Sequence, residues 1–229
     1  MDNPRRKNFF LINKKERWSL TLPGILVLFL LFFIPVYLLF NNLFLIIAPV
    51  IREKASILVL EGSVNDHVLV AAMEEFQKYH YTLLITTGTP LEYGSILSKY
   101  QNTASIAGFS LLKLGFDSTH LVILGTDAII HDRTFNSAIR LKQWLRVNQP
   151  DIKAVNLMSL GVHGGRSRLL FQSALGDSIR VGIISIPSQY YDAKSWWRSS
   201  KGFRETMNEA IGYFYIRYFF RPYEKELTK

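Results

Sequence analysis

The segment Ala154–Phe171, AVNLMSLGVHGGRSRLLF, decides the fold of this chain. It begins with an apolar run typical of a buried parallel strand and continues into a glycine-rich turn that holds His163, Arg166 and Arg168. A helix-like run, Leu169 to Phe171, follows the turn. Open α/β sheets bind their ligands at the carboxyl ends of the strands. The turn is therefore the first candidate for a functional site.

The rest of the chain after the first 54 residues alternates strand-like and helix-like segments. The strands are predicted at Ile57–Leu60, Leu83–Thr86, Leu121–Leu124, Ala154–Leu160 and Val181–Ile186. Helices are predicted near Asn65–Tyr79, Thr103–Leu114 and Thr134–Val147, from about Arg166, and over Phe203–Phe220. This alternation predicts one three-layer α/β domain over residues 55–229, with a mainly parallel sheet of about five strands.

An apolar segment precedes the predicted domain. Residues 21–40 carry no charged side chain, which is enough for a helix to cross a bilayer core of roughly 30 Å. We predict one uncleaved transmembrane anchor over residues 20–51, bent at Pro35. The alternative is a cleaved secretory signal, although the apolar region is longer than the usual signal core. The pattern leaves open whether Leu43–Ile51 forms a second membrane segment.

The charges that flank the anchor predict its orientation. Residues 1–19 hold six basic and two acidic side chains, a net charge of +4, whereas Arg52, Glu53 and Lys54 after the anchor add only +1. The positive-inside rule makes residues 1–19 a cytoplasmic basic segment and places the domain outside the cytoplasm. The predicted location is the inner (plasma) membrane, crossed once.

Composition narrows the classes of partner. The formal charge of the chain is +9, so +5 remains after the +4 of the amino-terminal flank. This surplus fits anionic lipid headgroups or phosphorylated envelope precursors. No basic stripe is interleaved with stacking aromatic residues, so we expect no nucleic-acid partner. The chain has no cysteine, which excludes disulfides, thiolate metal sites and a cysteine nucleophile.

Glycine-rich loops directly follow four of the predicted strands. Right-handed crossovers would bring these loops together at one edge of the sheet. Glycine there lets backbone N–H groups approach a ligand, and helix amino termini favour an anion. Glycine is equally suited to tight turning without any ligand. The loops are Glu61-Gly62-Ser63, Thr87-Gly88-Thr89, Gly125-Thr126-Asp127 and Gly161 to Arg166.

The chain carries the motifs LVLEGS, LLITTG, Leu114-Gly115, DRTFNSA at Asp132–Ala138 and GVHGGRSRLLF. Together these motifs resemble the ElyC/SanA/YdcF family of bacterial envelope-associated proteins. The resemblance covers about residues 57–176 and includes the amino-terminal anchor of several members. It departs from the family pattern at Glu61, where glycine is usual, and at Ser167, which replaces alanine. The resemblance implies a Rossmann-like fold and a role in envelope polysaccharide or peptidoglycan-precursor metabolism.

Catalytic candidates are acids, bases or proton donors at the strand ends. His163 can act as a general acid or base because its ordinary pKa lies near neutrality, and its His-x-x-Arg spacing matches the family motif. Asp127 and Glu61 can hold a sugar hydroxyl, act as a base, or simply cap the following helices. The catalytic candidates are therefore His163, Asp127 and Glu61.

Ligand-binding candidates surround these residues. Arg166 can pair bidentately with a phosphate or carboxylate, or form an internal salt bridge across the sheet edge. Arg133 and Thr134 begin a predicted helix and can hold a phosphate, although an ordinary threonine cap also explains Thr134. The set of ligand-binding candidates is Gly62, Thr87, Gly88, Glu92, Arg133, Thr134, Gly164, Arg166 and Ser167.

Two further features complete the sequence reading. His131 and Asp132 lack a matching ligand set, so we expect no metal, and the sequence assigns no cofactor. The last predicted helix is aromatic on all sides. We expect two faces. One would pack on the sheet, and the other would contact the membrane interface or a partner. The alternative is that the whole helix is buried in the core. The first face holds Phe203, Met207, Ala210, Phe214 and Tyr218, and the second Tyr213, Ile216 and Phe220.

Together these features predict a membrane-anchored cell-envelope protein. Its ligand would be an anionic or phosphorylated glycan precursor, lipid-linked or nucleotide-linked, which the domain either converts or only binds. If the domain converts this ligand, the protein is an enzyme. If it only binds the ligand, the protein is a non-catalytic tethered factor that assembles with envelope-synthesis proteins. The two differ in whether His163 is needed for turnover or for affinity.

The orientation can be tested with a reporter fused after Lys229. Because the amino-terminal flank carries +4, a reporter that works only outside the cytoplasm should be active, and a reporter that works only inside should be silent. Activity of the cytoplasmic reporter alone would contradict both the orientation and the envelope assignment.

Overall fold

The computed structural model describes residues 21–91, 99–126 and 132–222. The chain divides into two compact units, one up to Asn41 and one from Asn42 onward. The first unit contains most of helix α1 (Leu22–Ile47), which has no charged residue. At about 1.5 Å per residue the 26-residue helix is about 39 Å long, so it is long and apolar enough to cross a membrane.

The last turn of α1 belongs to the second unit. Leu43, Phe44 and Ile47 are buried in one apolar cluster with Val162, Trp196 and Ala210. The helix ends at Ile47, short of the predicted limit at residue 51, and Val50–Ile51 instead form a strand, β1. The segment Leu43–Ile51 is therefore part of the domain and not a second membrane helix.

One six-stranded sheet forms the centre of the second unit. Its order is β1-β6-β5-β2-β3-β4, and every neighbouring pair is parallel except β1 with β6. The predicted Rossmann-like α/β class is confirmed, with one additional antiparallel edge strand. After β1 the strands are β2 (Ile57–Glu61), β3 (Leu83–Gly88), β4 (Leu121–Gly125), β5 (Ala154–Leu160) and β6 (Arg180–Ile186).

Helices cover both faces of the sheet, as the three-layer prediction requires. The bounds are α2 (Asp66–Lys78), α3 (Thr103–Lys113), α4 (Arg133–Asn148), α5 (His163–Leu175) and α6 (Ser200–Tyr218), with short 3₁₀ turns at Ser118–His120 and Ala193–Arg198. One apolar core lies between the sheet and α4 and α5, and a second lies between the sheet and α2 and α3. The buried side chains of β2 and β5 contribute to both cores.

Helix α5 begins earlier than predicted. The glycine-rich stretch was expected to be a turn, but only Gly161 and Val162 form the turn, and His163 is the first helical residue. Gly164 and Gly165 lie inside the first helical turn of α5. Glycine is needed at both positions because β6 and the end of α1 pack directly against this turn. A Cβ on Gly164 would collide with the Ser185 side chain of β6, and one on Gly165 would lie 2.5 Å from the Ile47 carbonyl oxygen. Close packing therefore outweighs the low helix propensity of glycine.

The two predicted faces of α6 are only partly correct. Ala210 is buried and Met207 and Phe214 pack beside it, but Phe203 and Tyr218 are exposed. Ile216 and Phe220, which were assigned to a membrane or partner contact, pack against the main core instead. Phe220 meets Phe135 edge to face at 5.4 Å between ring centroids. The exposed apolar residues of the second half of α6 are Ile211, Tyr215, Tyr218 and Phe219.

The segment after α1 is pinned to the domain by buried polar contacts. The side chain of Asn156, in the middle of β5, accepts a hydrogen bond from the Glu53 amide at 2.8 Å and donates to the Glu53 carbonyl at 2.9 Å. Its Nδ2 also donates to the Tyr81 hydroxyl at 2.8 Å. Arg52 donates two hydrogen bonds to Glu75 on α2, at 2.7 and 2.9 Å. Arg52 and Glu53, whose charges were counted in the segment that follows the anchor, thus pack on the domain.

Replacing Asn156 with Leu should destabilise the domain. The change leaves the Glu53 backbone groups and the Tyr81 hydroxyl without their partner, and each unsatisfied buried group costs about 1–3 kcal/mol, so we expect a loss of about 3 kcal/mol or more. Tyr81→Phe removes only one of these bonds and should cost about 1 kcal/mol. Urea unfolding of the detergent-solubilised chain measures both. Equal losses for the two variants would contradict the assigned role of Asn156.

Candidate functional site

The candidate site lies where the strand order reverses direction. From β2 the chain proceeds to β3 and β4 on one side, and β5 and β6 are added on the other side of β2. The crevice at the carboxyl ends of two such diverging neighbours, here β2 and β5, is where open α/β sheets bind ligands. Glu61 ends β2, and His163 follows the end of β5 by a short turn. A cleft of about 650 Å³ occupies this position.

The cleft brings together most of the predicted residues. Its walls come from the ends of β2, β3 and β5 and from α4, α5 and α6. Gly164 and Ser167 are buried behind the wall, where Gly164 packs on β6 and Ser167 contacts Glu61. Glu92 and Asp127 lie outside the described residues. The predicted residues that line the cleft are Glu61, Gly62, Thr87, Gly88, Arg133, Thr134, His163 and Arg166.

A cluster of alternating charges forms the centre of the cleft wall. The ring of His163 lies between two carboxylates, with Nδ1 at 3.0 Å from Glu209 Oε1 and Nε2 at 3.6 Å from Glu61 Oε1. Arg166 grips Glu209 with two nitrogens, Nε at 2.7 Å from Oε2 and Nη2 at 3.2 Å from Oε1. Ser167 donates a hydrogen bond to Glu61 Oε1 at 2.9 Å. We call Glu61, His163, Arg166 and Glu209 the charge cluster.

The hydrogen bond at His163 Nδ1 fixes how the ring is used. Nδ1 lies 3.0 Å from both Glu209 Oε1 and Arg166 Nη2. It can donate to the carboxylate or accept from the guanidinium, but it cannot do both. A protonated ring donates to Glu209. Its Nε2–H, 3.6 Å from Glu61 Oε1, interacts with that carboxylate by charge without a close hydrogen bond, and so remains available to a ligand, while Arg166 is held by Glu209.

The pKa values follow from this arrangement. Burial by itself would lower the pKa of His163, but the negative charges of Glu61 and Glu209 outweigh burial and raise it to about 10. Burial opposes ionisation of the two carboxyl groups as well, yet His163 and, for Glu209, Arg166 hold their pKa values below the ordinary range. The cluster is thus fully ionised near neutral pH, with His163 as a proton donor.

Arg166 forms the internal salt bridge that was the alternative to a ligand contact. Its partner Glu209 comes from α6, and its side-chain stem crosses Gly212 of the same helix, where a Cβ would lie 2.9 Å from Arg166 Cδ. Arg166 still lines the cleft, and its side chain is 30% exposed. A ligand anion would therefore meet a guanidinium whose charge is already largely balanced.

Arg133 and Thr134 stand at the amino terminus of α4, as predicted. Arg133 donates to the Thr89 hydroxyl at 2.7 Å and to the Pro90 carbonyl at 3.2 Å, so it ties α4 to the loop after β3. Asp132 precedes the helix in the left-handed conformation and does not cap it through its side chain. Thr134 and Ser137 line the cleft beside this helix end. This wall is suited to an anion, since helix amino termini carry partial positive charge.

Gly62 and Gly88 have a packing role. A Cβ on Gly62 would lie 2.5 Å from the Thr103 carbonyl group, and one on Gly88 would lie 2.5 Å from the Ala104 amide nitrogen. Both glycines thus allow the amino terminus of α3 to approach the strand ends. The side chain of Asn102 already caps this helix by accepting a hydrogen bond from the Ser105 amide at 2.8 Å. The glycine loops are explained by helix packing without a ligand.

Glu61 Oε2 lies deep in the cleft wall. It and the neighbouring Ser159 Oγ are both inaccessible to solvent, and neither forms a close hydrogen bond with a described residue. The Ser159 hydroxyl is nevertheless a donor beside this carboxylate, and it is among the groups that hold the pKa of Glu61 below its ordinary range. Both residues line the cleft, so a ligand would meet the exposed part of the Glu61 side chain and not Oε2.

Glu209 is the residue of the cluster that the sequence analysis missed. It lies on α6, 43 residues after Arg166, in a helix whose most conspicuous side chains are aromatic. The available signal was its position beside Gly212 on a helix expected to pack near the domain, and that signal does not specify a partner. Within residues 21–91, 99–126 and 132–222, no group of three or more His, Cys, Asp or Glu side chains could hold a metal ion.

The fold and site define a Rossmann-like α/β domain with a polar cleft, preceded by an apolar helix long enough to cross a membrane. No family model matches this chain, and no curated protein matches it either.

The charge cluster predicts a characteristic dependence of stability on pH. Because folding raises the pKa of His163 from 6.5 to about 10, its contribution is fully present below pH 6.5 and is lost as the pH rises to about 10. The stability advantage of the wild type over His163→Gln should therefore fall by about 2 kcal/mol over this interval, allowing for a side chain that is 31% exposed.

Urea unfolding of both chains in one detergent, from pH 5 to 10, measures this difference. Glu61 and Glu209 have lowered pKa values, so their contribution is lost only as the pH falls below about 4.5, outside the measured range. A difference that stays constant between pH 6.5 and 10 would contradict a protonated His163.

Proposed function

We propose that this protein is a membrane-anchored cell-envelope protein whose domain acts on or binds a glycan precursor that carries phosphate, either lipid-linked or nucleotide-linked. Helix α1 supplies the anchor and crosses the inner membrane once, with residues 1–19 in the cytoplasm. The observation that carries the ligand assignment is the pair of Glu61 and His163, a carboxylate and an imidazolium that lie side by side and both line the cleft.

The two walls of the cleft suit the two chemical parts of such a ligand. On one wall Glu61 accepts, and His163 donates, the hydrogen bonds that a sugar hydroxyl offers and needs. On the other wall the amino terminus of α4, with Thr134 and Ser137, suits a phosphate group. The charges of the cluster are balanced internally. The wall that holds Glu61 and His163 therefore favours a neutral polyhydroxyl group over a second anion.

The ionisation state of His163 limits the chemistry that the site can perform. A histidine with a pKa of about 10 is protonated at neutral pH and can give a proton to a leaving oxygen, but it is a poor base. If the protein is an enzyme, we assign His163 as the general acid and Glu61 as the group that orients the ligand. The role predicted for Asp127 lies outside the described residues.

A non-catalytic binding or assembly factor for envelope-synthesis proteins is the second candidate. It is favoured by the bidentate contact of Arg166 with Glu209, since this contact stabilises the cluster without any ligand. A factor of this class needs the shape of the cleft and its hydrogen bonds, but no proton transfer. Substitution of His163 separates the candidates. His163→Gln should abolish turnover with affinity largely kept in an enzyme, and should only reduce affinity in a binding factor.

Binding to the full chain in detergent tests the proposal. The probes are a nucleoside-diphosphate sugar and a polyprenyl-phosphate sugar, titrated against wild type and Glu61→Gln. Removing the acceptor charge should weaken binding at least tenfold, about 1.5 kcal/mol, because a hydrogen bond to a charged group contributes about 1.5–3 kcal/mol.

Glu75→Gln is the matched control. Glu75 is also a buried, paired carboxylate, but it lies on α2, contacts Arg52 and does not line the cleft. The control should lose stability and keep its affinity. Equal affinity of wild type and Glu61→Gln for both probes, or no binding of either, would overturn the ligand assignment.

A further inference from the structure

The second half of α6, with Phe219 just after its end, presents an apolar surface that residues up to 222 leave exposed. Ile211, Tyr215, Tyr218 and Phe219 are 66%, 56%, 69% and 72% exposed. Their spacing of i, i+4, i+7 and i+8 places them on one side of the helix. Tyr215 and Phe219 stack along it with ring centroids 6.3 Å apart. We call these four residues the aromatic face of α6.

Positive charge surrounds this face. Arg204 lies two turns before Ile211 on the same side of the helix, and Arg217 and Arg221 flank its end, all of them exposed. None of the three arginines forms a salt bridge with a described residue. By contrast, the two acidic residues of α6, Glu205 and Glu209, are paired with Lys201 and Arg166. The described residues therefore give this surface a positive charge, which complements an anionic partner.

The position of α6 in the domain points to the kind of partner. Ala210 of α6 is buried with Leu43, Phe44 and Ile47, and Met207, Tyr213 and Phe214 pack against the same cluster. Leu43 follows Asn41, the last residue of the apolar unit, by only two positions. Leu43, which packs in the same cluster as Ala210 of α6, is thus separated from the apolar unit by one residue along the chain.

We propose that the aromatic face of α6 docks on an anionic lipid surface. Tyrosine and arginine suit the headgroup region, where the ring is partly buried and the polar end stays in water. Each arginine near such a surface adds attraction that weakens with salt. Asn208, one turn before Ile211, is exposed and lines the cleft, so docking brings the edge of the cleft to the lipid surface. The proposal rests on the membrane anchor of the proposed function.

The absence of cysteine from the chain makes a direct test possible. Tyr215→Cys in the full chain carries one polarity-sensitive fluorophore, attached with a membrane-impermeant reagent after reconstitution into vesicles. The matched control is Val147→Cys, at the end of α4, where the side chain is 80% exposed. Vesicles of neutral phosphatidylcholine are compared with vesicles that contain 30% phosphatidylglycerol, a proportion of about one anionic lipid in three.

Quenching by a nitroxide in the lipid headgroup region measures contact with the bilayer. Quenching at Tyr215→Cys should be about twofold stronger in anionic than in neutral vesicles. This difference should disappear at high salt, and also in a chain that carries the three further substitutions Arg204→Gln, Arg217→Gln and Arg221→Gln. The label at Val147→Cys should respond equally to both lipids. Circular dichroism of each variant checks that the domain is folded.

Two results would overturn the proposal. Equal quenching at Tyr215→Cys and Val147→Cys in anionic vesicles means that the face is in water. The second result is a label at Tyr215→Cys that becomes less accessible to water as the ratio of protein to lipid rises, whatever the lipid charge. It means that a second copy of the chain covers the face. Flotation of the vesicles tests the anchor separately, because an anchored chain floats whether or not α6 docks.

Discussion

The arrangement of α5 and α6 around the cleft depends on Glu61, a buried negative charge at the end of β2 that needs positively charged partners. The side chain of Glu61 is only 12% exposed, and an ion removed from water costs several kcal/mol unless it is paired. Helix α5 meets this requirement by beginning where His163 and Ser167 both reach Glu61. The imidazolium then lies beside Arg166, and like charges this close require a counter-charge of their own. Glu209 supplies it, and so the position of α6 follows from the charge at β2.

Close backbone contacts make this arrangement possible. Gly165 lets the end of α1 approach the first turn of α5, and Gly212 lets α6 accommodate the stem of Arg166. Each glycine costs about 1 kcal/mol of helix stability relative to alanine. That cost is smaller than the cost of moving a helix away from its ionic partner. Gly165, which belongs to a glycine-rich stretch that resembles a ligand-binding loop in the sequence, is therefore explained by the close approach of two helices.

The sequence predicted the strands well because buried parallel strands are short apolar runs with clear ends. All five predicted strands are present within two residues at each end, and the cleft forms where their carboxyl ends meet. β1 was not predicted because Val50 and Ile51 continue the apolar run of α1. Glu209 was not predicted because its partners are distant in sequence, and no local pattern encodes a pairing across two helices. The faces of α6 were partly misassigned because aromatic residues surround the helix.

The dependence of the charge cluster on α6 has a consequence for the order in which the chain is made. His163 and Arg166 leave the ribosome more than 40 residues before Glu209, so β2, β5 and α5 can form while their two cations face a single carboxylate. A chain that stops before α6 would carry an uncompensated positive charge in its cleft and would expose the apolar cluster around Ile47. Completion of the last helix thus marks the point at which the nascent chain can balance the charges of its cleft and cover the apolar cluster around Ile47.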